Sequence, residues 1–232
     1  HHEIDIEFMT KQLKKRLLLG AAALIGLAAL SVIALLIIGH DRVYRGPMAE
    51  PDVWNPKTDR ARVVTEGRKL IGLWYDPIQG YFNNLGGKMG LIVCMDVPRL
   101  AYRNAGTSIR KLLEMDYKAH PEHYGKRDGR PGDPYFDRRA RNLYSYCKHN
   151  GCLDMSGPPE PGDVVFMSHS QTGWVTHIAM VSSVSVDGRY RVLEASRDEW
   201  YVTRELDSEK MLGRGWIFRG FGRPLKQGKG TS

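Results

Sequence analysis

Cys94, His177 and Glu194 are the residues of this sequence whose types and setting best suit nucleophilic chemistry. Cys94 lies between a glycine-bearing loop and an amphipathic helical pattern, in the stretch YFNNLGGKMGLIVCMDVPRLAYRNAG. A thiol at a helix N-terminus faces unpaired N–H groups and the positive end of the dipole, which favour the nucleophilic thiolate. His177 lies in a strand-like run, VTHIAMVSS, and Glu194 lies in the next, YRVLEAS. Together they supply a nucleophile, a base and an orienting acceptor.

Each of the three residues also has a simpler structural alternative. A lone Cys94 suits a buried small hydrophobe, which is a common role for a free thiol. His177 suits a core histidine with satisfied N–H groups, and Glu194 suits a surface ion pair with Arg191. The surrounding motifs favour the catalytic interpretation.

The elements that must position these residues differ between the two halves of the chain. Apolar spacing predicts helices over residues 61–73, 96–104, 108–118 and 137–150. The second half has short β-branched or aromatic runs at 162–168, 175–186, 190–196 and 215–222, separated by turn residues. The Asp-Gly turn Val186–Arg189 predicts a hairpin that joins the strands of His177 and Glu194. Helices followed by an antiparallel sheet predict an α+β domain.

The N-terminal region predicts a membrane anchor. Residues 1–8 are interpreted as a tag and linker remnant, so the natural start is placed at Met9. Residues 9–16 form a basic cytoplasmic segment, and 17–39 form an uncharged stretch long enough to cross the lipid bilayer as a helix. We expect a stalk over 40–60, a catalytic domain over 61–225 and a tail over 226–232.

The charges beside this span predict its orientation. The basic segment that precedes it favours a cytoplasmic N-terminus, and hence a single-pass protein whose residues after the span lie outside the cytoplasm. A cleaved signal peptide is the alternative, although no A-x-A site follows the run. Once the four basic and three acidic residues before the span are set aside, the rest carries a formal charge of +7. That charge suits an anionic polymer or lipid surface; nucleic acid is not expected, because no basic run is interleaved with aromatics.

No cofactor or metal ion is predicted. The sequence has no Walker loop, dinucleotide fingerprint or G-x-S-x-G elbow. His120 and His123 have i, i+3 spacing, but Pro121 argues against one clean helical face. Cys147 and Cys152 do not have the spacing of a zinc knuckle.

The cysteine count instead predicts a disulfide. Three thiols in an oxidising compartment leave one unpaired. Cys147 and Cys152 flank a turn-prone loop at the end of a predicted helix, so their Cα atoms can approach bonding distance. Pairing them leaves Cys94 free; two reduced thiols are the alternative, because so short a loop gives little entropic gain.

Several motifs in order resemble those of the NlpC-type cell-wall cysteine peptidases, a papain-like superfamily. They are Tyr81, Gly86-Gly87, the Cys94 helix start VCMD, the strand PEPGDVVF, and the strands HIAMV and VLEAS. The chain is more similar still to a bacterial branch described as a domain of unknown function, with G-V-C-T-D at the cysteine and H-R-R-x-P-N-L midway. Here that middle motif is DRRARNL, residues 137–143. The similarity covers roughly residues 73–224.

The resemblance implies a papain-like fold and a set of site residues. It implies Cys94 as nucleophile, His177 as base and Glu194 as orienting residue, where the superfamily usually has His, Asn or Gln. Tyr81 is the candidate for oxyanion stabilisation or substrate gating. Asp96, Arg138 and Arg139 are further candidates for contact with the oxyanion or the substrate. Their alternatives are a helix-dipole interaction for Asp96 and a solvated ion pair for the arginines. Three departures are Val93 before the cysteine, Pro98 early in its helix and Asp137 in place of a histidine.

The function implied is hydrolysis of an amide bond in peptidoglycan peptides by a Cys-His-Glu triad, in a periplasmic domain anchored to the bacterial inner membrane. Two alternatives remain open at this point. The same constellation handles esters, which allows a thiol acyl hydrolase or acyltransferase that acts on lipid. The unusual Glu194, Val93 and Pro98 also allow a catalytically silent wall-binding module. A protein partner and the oligomeric state are not predicted.

Overall fold

The computed structural model describes residues 2–44, 59–79, 86–87, 89–169, 173–199 and 203–224. The chain divides into two compact units, His1–Ile38 and Gly39–Ser232. Each unit is described by itself.

The N-terminal unit belongs to one long helix, α1, His2–Tyr44. Its segment Gln12–Ala34 is the described stretch long and apolar enough to cross a membrane, with a mean hydropathy of 2.5. None of that segment is buried within the protein. The predicted span, 17–39, lies inside α1, and by length and composition the helix suits a single membrane crossing.

The larger unit begins with helices. They are α2 Arg60–Arg68, α3 Asp96–Ala105, α4 Ile109–Ala119 and α5 Ala140–His149, with 3₁₀ turns at Pro121–His123 and Phe136–Arg138. Local sequence explains two starts, because Asp59 and Ser108 accept hydrogen bonds from the N–H groups of Arg62 and Lys111. Helix α3 ends at Gly106, whose φ of 104° is left-handed and suits glycine.

A six-stranded antiparallel sheet follows. Its strands are β1 Leu153–Asp154, β2 Val164–His169, β3 Val175–Val184, β4 Tyr190–Glu194, β5 Arg204–Asp207 and β6 Trp216–Gly222. Their order in the sheet is β1-β6-β2-β3-β4-β5. The short helix α6, Ser208–Leu212, and a 3₁₀ turn, Arg197–Glu199, complete the described elements.

The sheet has an apolar cluster on each face because its central strands alternate side chains. Val164 and Phe166 of β2 pack with the apolar faces of the helices, whereas Val165 and Met167 pack with Met211 of α6 on the other face. Tyr102 of α3 also donates a hydrogen bond of 2.8 Å to the carbonyl of Gly162 at the entrance to β2. The helix that follows Cys94 is thus fixed to the sheet.

The predicted α+β class, with helices packed on an antiparallel sheet, is confirmed. Helix α2 ends at Arg68, earlier than the predicted 73, because the chain turns and pairs with residue 203, where Gly72 N–H donates to the Thr203 carbonyl at 3.0 Å. Strands β1 and β5 and helix α6 lie in segments whose short patterns gave no prediction. The predicted hairpin joins β3 and β4, with Ser185 N–H bonded to the Arg189 carbonyl at 2.8 Å.

Candidate active site

Cys94 lies in a turn two residues before α3 begins, and it is 9% exposed. The segment that leads to it is held by backbone pairing, in which Asp76 N–H donates to the Ile92 carbonyl at 2.8 Å and Ile92 N–H donates to the Trp74 carbonyl at 2.9 Å. Pro98 cannot donate to the Cys94 carbonyl; Val97 N–H donates to it instead, at 3.3 Å. The sulfur is therefore fixed near the N-terminal end of α3.

His177 joins Cys94 to Glu194. Its ring is hydrogen-bonded to the Cys94 side chain, and its Nε2 donates to Glu194 Oε1 over 2.6 Å. The structure thus brings the three predicted triad residues into one continuous chain of hydrogen bonds.

Strand geometry places His177 at an irregularity of the sheet. Ser168 pairs with Val175 and Met167 pairs with His177, so β3 has one residue more than β2 over this stretch. Such a bulge changes the direction in which a side chain leaves the strand. Because of the bulge, the simple alternation of side chains along β3 does not predict the position of the His177 ring.

The pKa of His177 is raised to about 10. Burial is the largest influence and opposes protonation, but the negative charge and hydrogen bond of Cys94, followed by those of Glu194, outweigh it. The protonated ring between two acidic groups is the arrangement that a thiolate–imidazolium pair requires.

Arg214 is a fourth member that sequence reasoning missed. Its Nη1 donates to Glu194 Oε2 at 3.0 Å, so the two carboxylate oxygens bind different partners. Burial of Glu194 opposes ionisation, but His177 and then Arg214 hold the pKa of this fully buried carboxyl below its ordinary value. Arg214 follows α6 after a loop, and no local pattern relates it to Glu194.

Trp216, at the start of β6, covers one face of the His177 ring. The two rings are stacked, with centroids 4.8 Å apart and planes 22° apart. This contact limits rotation of the imidazole. The sequence predicted the strand of Trp216 but not this role.

Tyr75 is the described tyrosine beside the thiol. Burial chiefly, and then the charge of Cys94, raise the pKa of its phenol, against a smaller opposite effect of Arg197. The predicted Tyr81 lies outside the described residues. The sequence analysis did not identify Tyr75.

Asp96 and Arg138 form a buried ion pair behind the Cys94 turn. Arg138 Nη2 lies 2.6 Å from Asp96 Oδ2, and its side chain is only 5% exposed. Asp96 also accepts from Val93 N–H at 2.9 Å and from Arg99 Nη2 at 2.7 Å. The Arg138 guanidinium is thus buried and bound to the protein's own carboxylate. The structure therefore gives no support to the predicted contact of Arg138 with a substrate.

The pKa of Asp96 is lowered to about 2. Burial acts most strongly and raises it, but the charges of Arg138 and Arg99 and their hydrogen bonds overcome that effect. Asp137 belongs to the same cluster, at 3.3 Å from Arg99 Nη1. Two fixed positive charges therefore stabilise the ionised Asp96, in addition to the helix dipole.

Asp76 extends this cluster toward the glycine pair. It is fully buried, and its Oδ2 is 3.9 Å from Arg138 Nη2. A Cβ at Gly86 would overlap the Asp76 carboxylate. Close approach of that carboxylate explains the glycine at position 86 without any need for a left-handed backbone.

Arg139 lies apart from Arg138 although the two are adjacent in sequence. It is half-buried at the start of α5, with its guanidinium carbon 5.6 Å from the centroid of the Tyr135 ring. The two arginines therefore do not form one shared surface.

The structure does not contain the predicted Cys147–Cys152 disulfide. All three cysteines are free thiols, and both members of this pair are buried. They contact each other through a side-chain hydrogen bond, and burial raises the pKa of Cys147. Helix α5 continues past Cys147, and Cys152 N–H donates to the Cys147 carbonyl at 3.1 Å, which brings the thiols together without a covalent bond.

The fold and site define an α+β protein in which a thiol before a helix faces an imidazole on an antiparallel sheet. Residues 85–214 match the family described as Domain of unknown function (DUF1287), and the chain belongs to that family. The prediction of a branch of unknown function is confirmed. The family match ends at Arg214, the residue bonded to Glu194.

Two solved structures are similar to the chain at low identity. One is an NlpC/P60 family protein from Bacillus cereus, with 16% identity, a TM-score of 0.46 and coverage of 74% of this chain and 42% of that one. The other is NlpC2 from Trichomonas vaginalis, with 15% identity, a TM-score of 0.44 and coverage of 75% and 49%. The chain thus spans less than half the length of each. No curated protein matches it.

Proposed function

We propose that this protein is a membrane-anchored cysteine hydrolase that cleaves amide bonds in peptidoglycan peptides. The observation that carries the proposal is the continuous Cys94–His177–Glu194 chain, with Glu194 bonded in turn to Arg214. A buried ion pair alone would not require a thiol at one end and a titratable ring in the middle.

The reaction follows from these positions. The Cys94 thiolate attacks the amide carbon, and the Cys94 backbone N–H and the phenol of Tyr75 stabilise the oxyanion. His177 then protonates the leaving amine, and the resulting neutral ring takes a proton from the water that cleaves the thioester. Glu194 orients the ring and stabilises its charged form. The predicted role of Tyr81 stays a prediction.

The substrate class is supported by the sequence motifs and by the N-terminal helix. The motifs resemble those of cell-wall peptidases, and residues 17–39 are apolar enough to hold the domain at a membrane surface. The formal charge of +7 on the residues that follow that span favours an anionic polymer over a neutral one. A periplasmic position next to the wall is therefore part of the proposal.

Digestion of purified peptidoglycan tests this function. The full chain in detergent micelles should release peptide fragments with a new amine terminus, which mass spectrometry locates. Cys94→Ala should release none, whereas Cys147→Ala, the matched change of another buried thiol, should keep most of the rate. Equal digestion by Cys94→Ala would contradict the mechanism. Release of fatty acid from lipid esters without release of peptides would favour the acyl hydrolase.

Thiol alkylation separates an enzyme from a silent binding module. A thiolate paired with an imidazolium reacts with iodoacetamide below neutral pH, where ordinary thiols are protonated. We expect Cys94 to react at least tenfold faster at pH 6 than Cys147 or Cys152. An unreactive Cys94, together with an absence of turnover, would support the silent module.

A further inference from the structure

Three potential metal ligands outside the Cys94 site meet on one surface turn. His120, Glu122 and His123 offer two imidazole nitrogens and a carboxylate oxygen, all within 4.8 Å of one another. They lie in and just before the 3₁₀ turn Pro121–His123, between α4 and α5.

The spacing of the donors suits a small transition-metal ion. Glu122 Oε1 lies 3.3 Å from His120 Nδ1 and 3.8 Å from His123 Nε2. Donors bound to one zinc ion at about 2.0–2.1 Å are about 3.4 Å apart in a tetrahedral site. Small side-chain rotations of the exposed His120 and Glu122 would close the remaining difference.

The carboxylate of Asp116, on the far side of the His123 ring from Glu122, orients this ring as a metal ligand. Its Nδ1 is buried, has no hydrogen-bond partner among the described residues, and faces Asp116 Oδ2 at 3.7 Å. A proton on Nδ1 is favoured by that carboxylate and leaves the lone pair on Nε2, the nitrogen nearest Glu122. Metal-ligating histidines have this carboxylate behind the second ring nitrogen. Asp116 is itself fixed by the Tyr124 hydroxyl, at 2.6 Å.

Helix α5 holds the same ring from the side. The His149 ring stacks on that of His123, with centroids 3.9 Å apart and planes 5° apart. His149 Nδ1 donates to the Ser145 carbonyl at 2.9 Å, and the Ser145 hydroxyl donates to the His123 carbonyl. The central ligand is therefore positioned before any ion binds.

We propose that His120, Glu122 and His123 bind one divalent transition-metal ion of the zinc class, with water in the fourth position. Two imidazoles favour zinc, nickel or copper over calcium or magnesium. The sequence analysis predicted no metal site because Pro121 interrupts a helix. In the structure that proline instead starts a 3₁₀ turn, whose three-residue period places residues 120 and 123 on one side.

Zinc titration tests the site. A variant that begins at Met9 lacks the two N-terminal histidines, and Cys94→Ala removes the Cys94 sulfur as a competing zinc ligand. This protein in detergent micelles is stripped with EDTA and titrated with zinc chloride against a chromophoric chelator. We expect one zinc per chain, and an affinity at least tenfold weaker in both His120→Ala and Glu122→Gln.

A histidine and a glutamate outside the cluster supply the controls. His169→Ala and Glu114→Gln should keep the zinc affinity within twofold, and circular dichroism should show all variants folded. Absence of stoichiometric zinc, or a loss in only one of the two ligand variants, would overturn the three-ligand site. Displacement of zinc by millimolar magnesium or calcium would overturn the proposed metal class.

Discussion

Asp96 and Glu194 are both buried carboxylates held by arginine, but their other partners differ in kind. Asp96 accepts from Arg99, Arg138 and a backbone N–H, none of which changes charge near neutral pH. Glu194 accepts from Arg214 and from His177, a ring that can lose its proton. The comparison shows how one domain uses the same group first to fix a backbone turn and then to regulate a reactive ring.

Removal of the titratable partner should have the largest effect. We expect His177→Ala to lower kcat by about 10³–10⁴-fold, because both proton transfers use this ring. Thr176→Ala, which changes an exposed side chain next to His177 on strand β3, is the control and should stay within threefold. Rates of peptide release from peptidoglycan provide the measurement. A similar loss in both variants would mean that the effect comes from general damage to the sheet.

The fixed cluster should respond in stability. Asp96→Asn leaves Arg138 without its buried counter-charge, and we expect a loss of about 3 kcal/mol in the free energy of unfolding. Urea unfolding of the full chain, followed by near-ultraviolet circular dichroism, measures it. Asp187→Asn, on the exposed β3–β4 turn, should change it by less than about 0.5 kcal/mol. Adding Arg138→Met to Asp96→Asn should recover part of the loss, and no recovery would argue against this charge pair.

Glu194→Gln should have an intermediate effect on activity and little on the fold. The amide still accepts a hydrogen bond but no longer stabilises the charged ring, so kcat should fall about 10–100-fold. The pKa of His177, about 10 in the intact site, should fall in this variant. The alkaline limb of the rate profile should therefore move to lower pH. Suppose instead that Glu194→Gln kept full activity and Asp96→Asn lost most of its activity at equal stability. Asp96 would then be the residue that orients His177, in place of Glu194.

The pH dependence of stability has opposite signs for Asp96 and His177. The pKa of Asp96 is about 2, below its ordinary 3.8, so its contribution is complete above pH 4 and is lost as the pH falls toward 2. That loss is about 2.5 kcal/mol. His177 has a raised pKa, so its contribution is complete below about pH 6.5 and is lost as the pH rises toward 10. Unfolding measured across pH should lose the Asp96 part of its acid limb in Asp96→Asn, whereas Glu194→Gln should reduce the decline of stability at alkaline pH, because it lowers the pKa of His177.

The sequence was sufficient for the class of fold and for candidate residues that the structure brings together. Period and turn residues predicted the helices and the strands of His177 and Glu194, because these signals are local. Asp-Gly in the turn predicted the hairpin between those strands. Strand β5 and Arg214 were not predicted, since their positions depend on pairing with residues far along the chain.

The charged residues show where local reasoning fails. Arg138 and Arg139 look alike in sequence, yet one is buried on Asp96 and the other lies against Tyr135. The difference arises where the 3₁₀ turn Phe136–Arg138 ends and α5 begins, a boundary that the predicted continuous helix did not include. Spacing alone also could not show that the 3₁₀ turn begun by Pro121 places His120 and His123 on one side.

The stacking of Trp216 on His177 has a spectroscopic consequence. A charged imidazole quenches the fluorescence of an indole in contact with it much more strongly than a neutral one does. The emission of Trp216 therefore reports the protonation of His177 in the resting protein. With the other four of the five tryptophans replaced by phenylalanine, the emission should rise in an alkaline titration centred near the pKa of about 10. Trp216 thus serves as an optical indicator of the charge on His177.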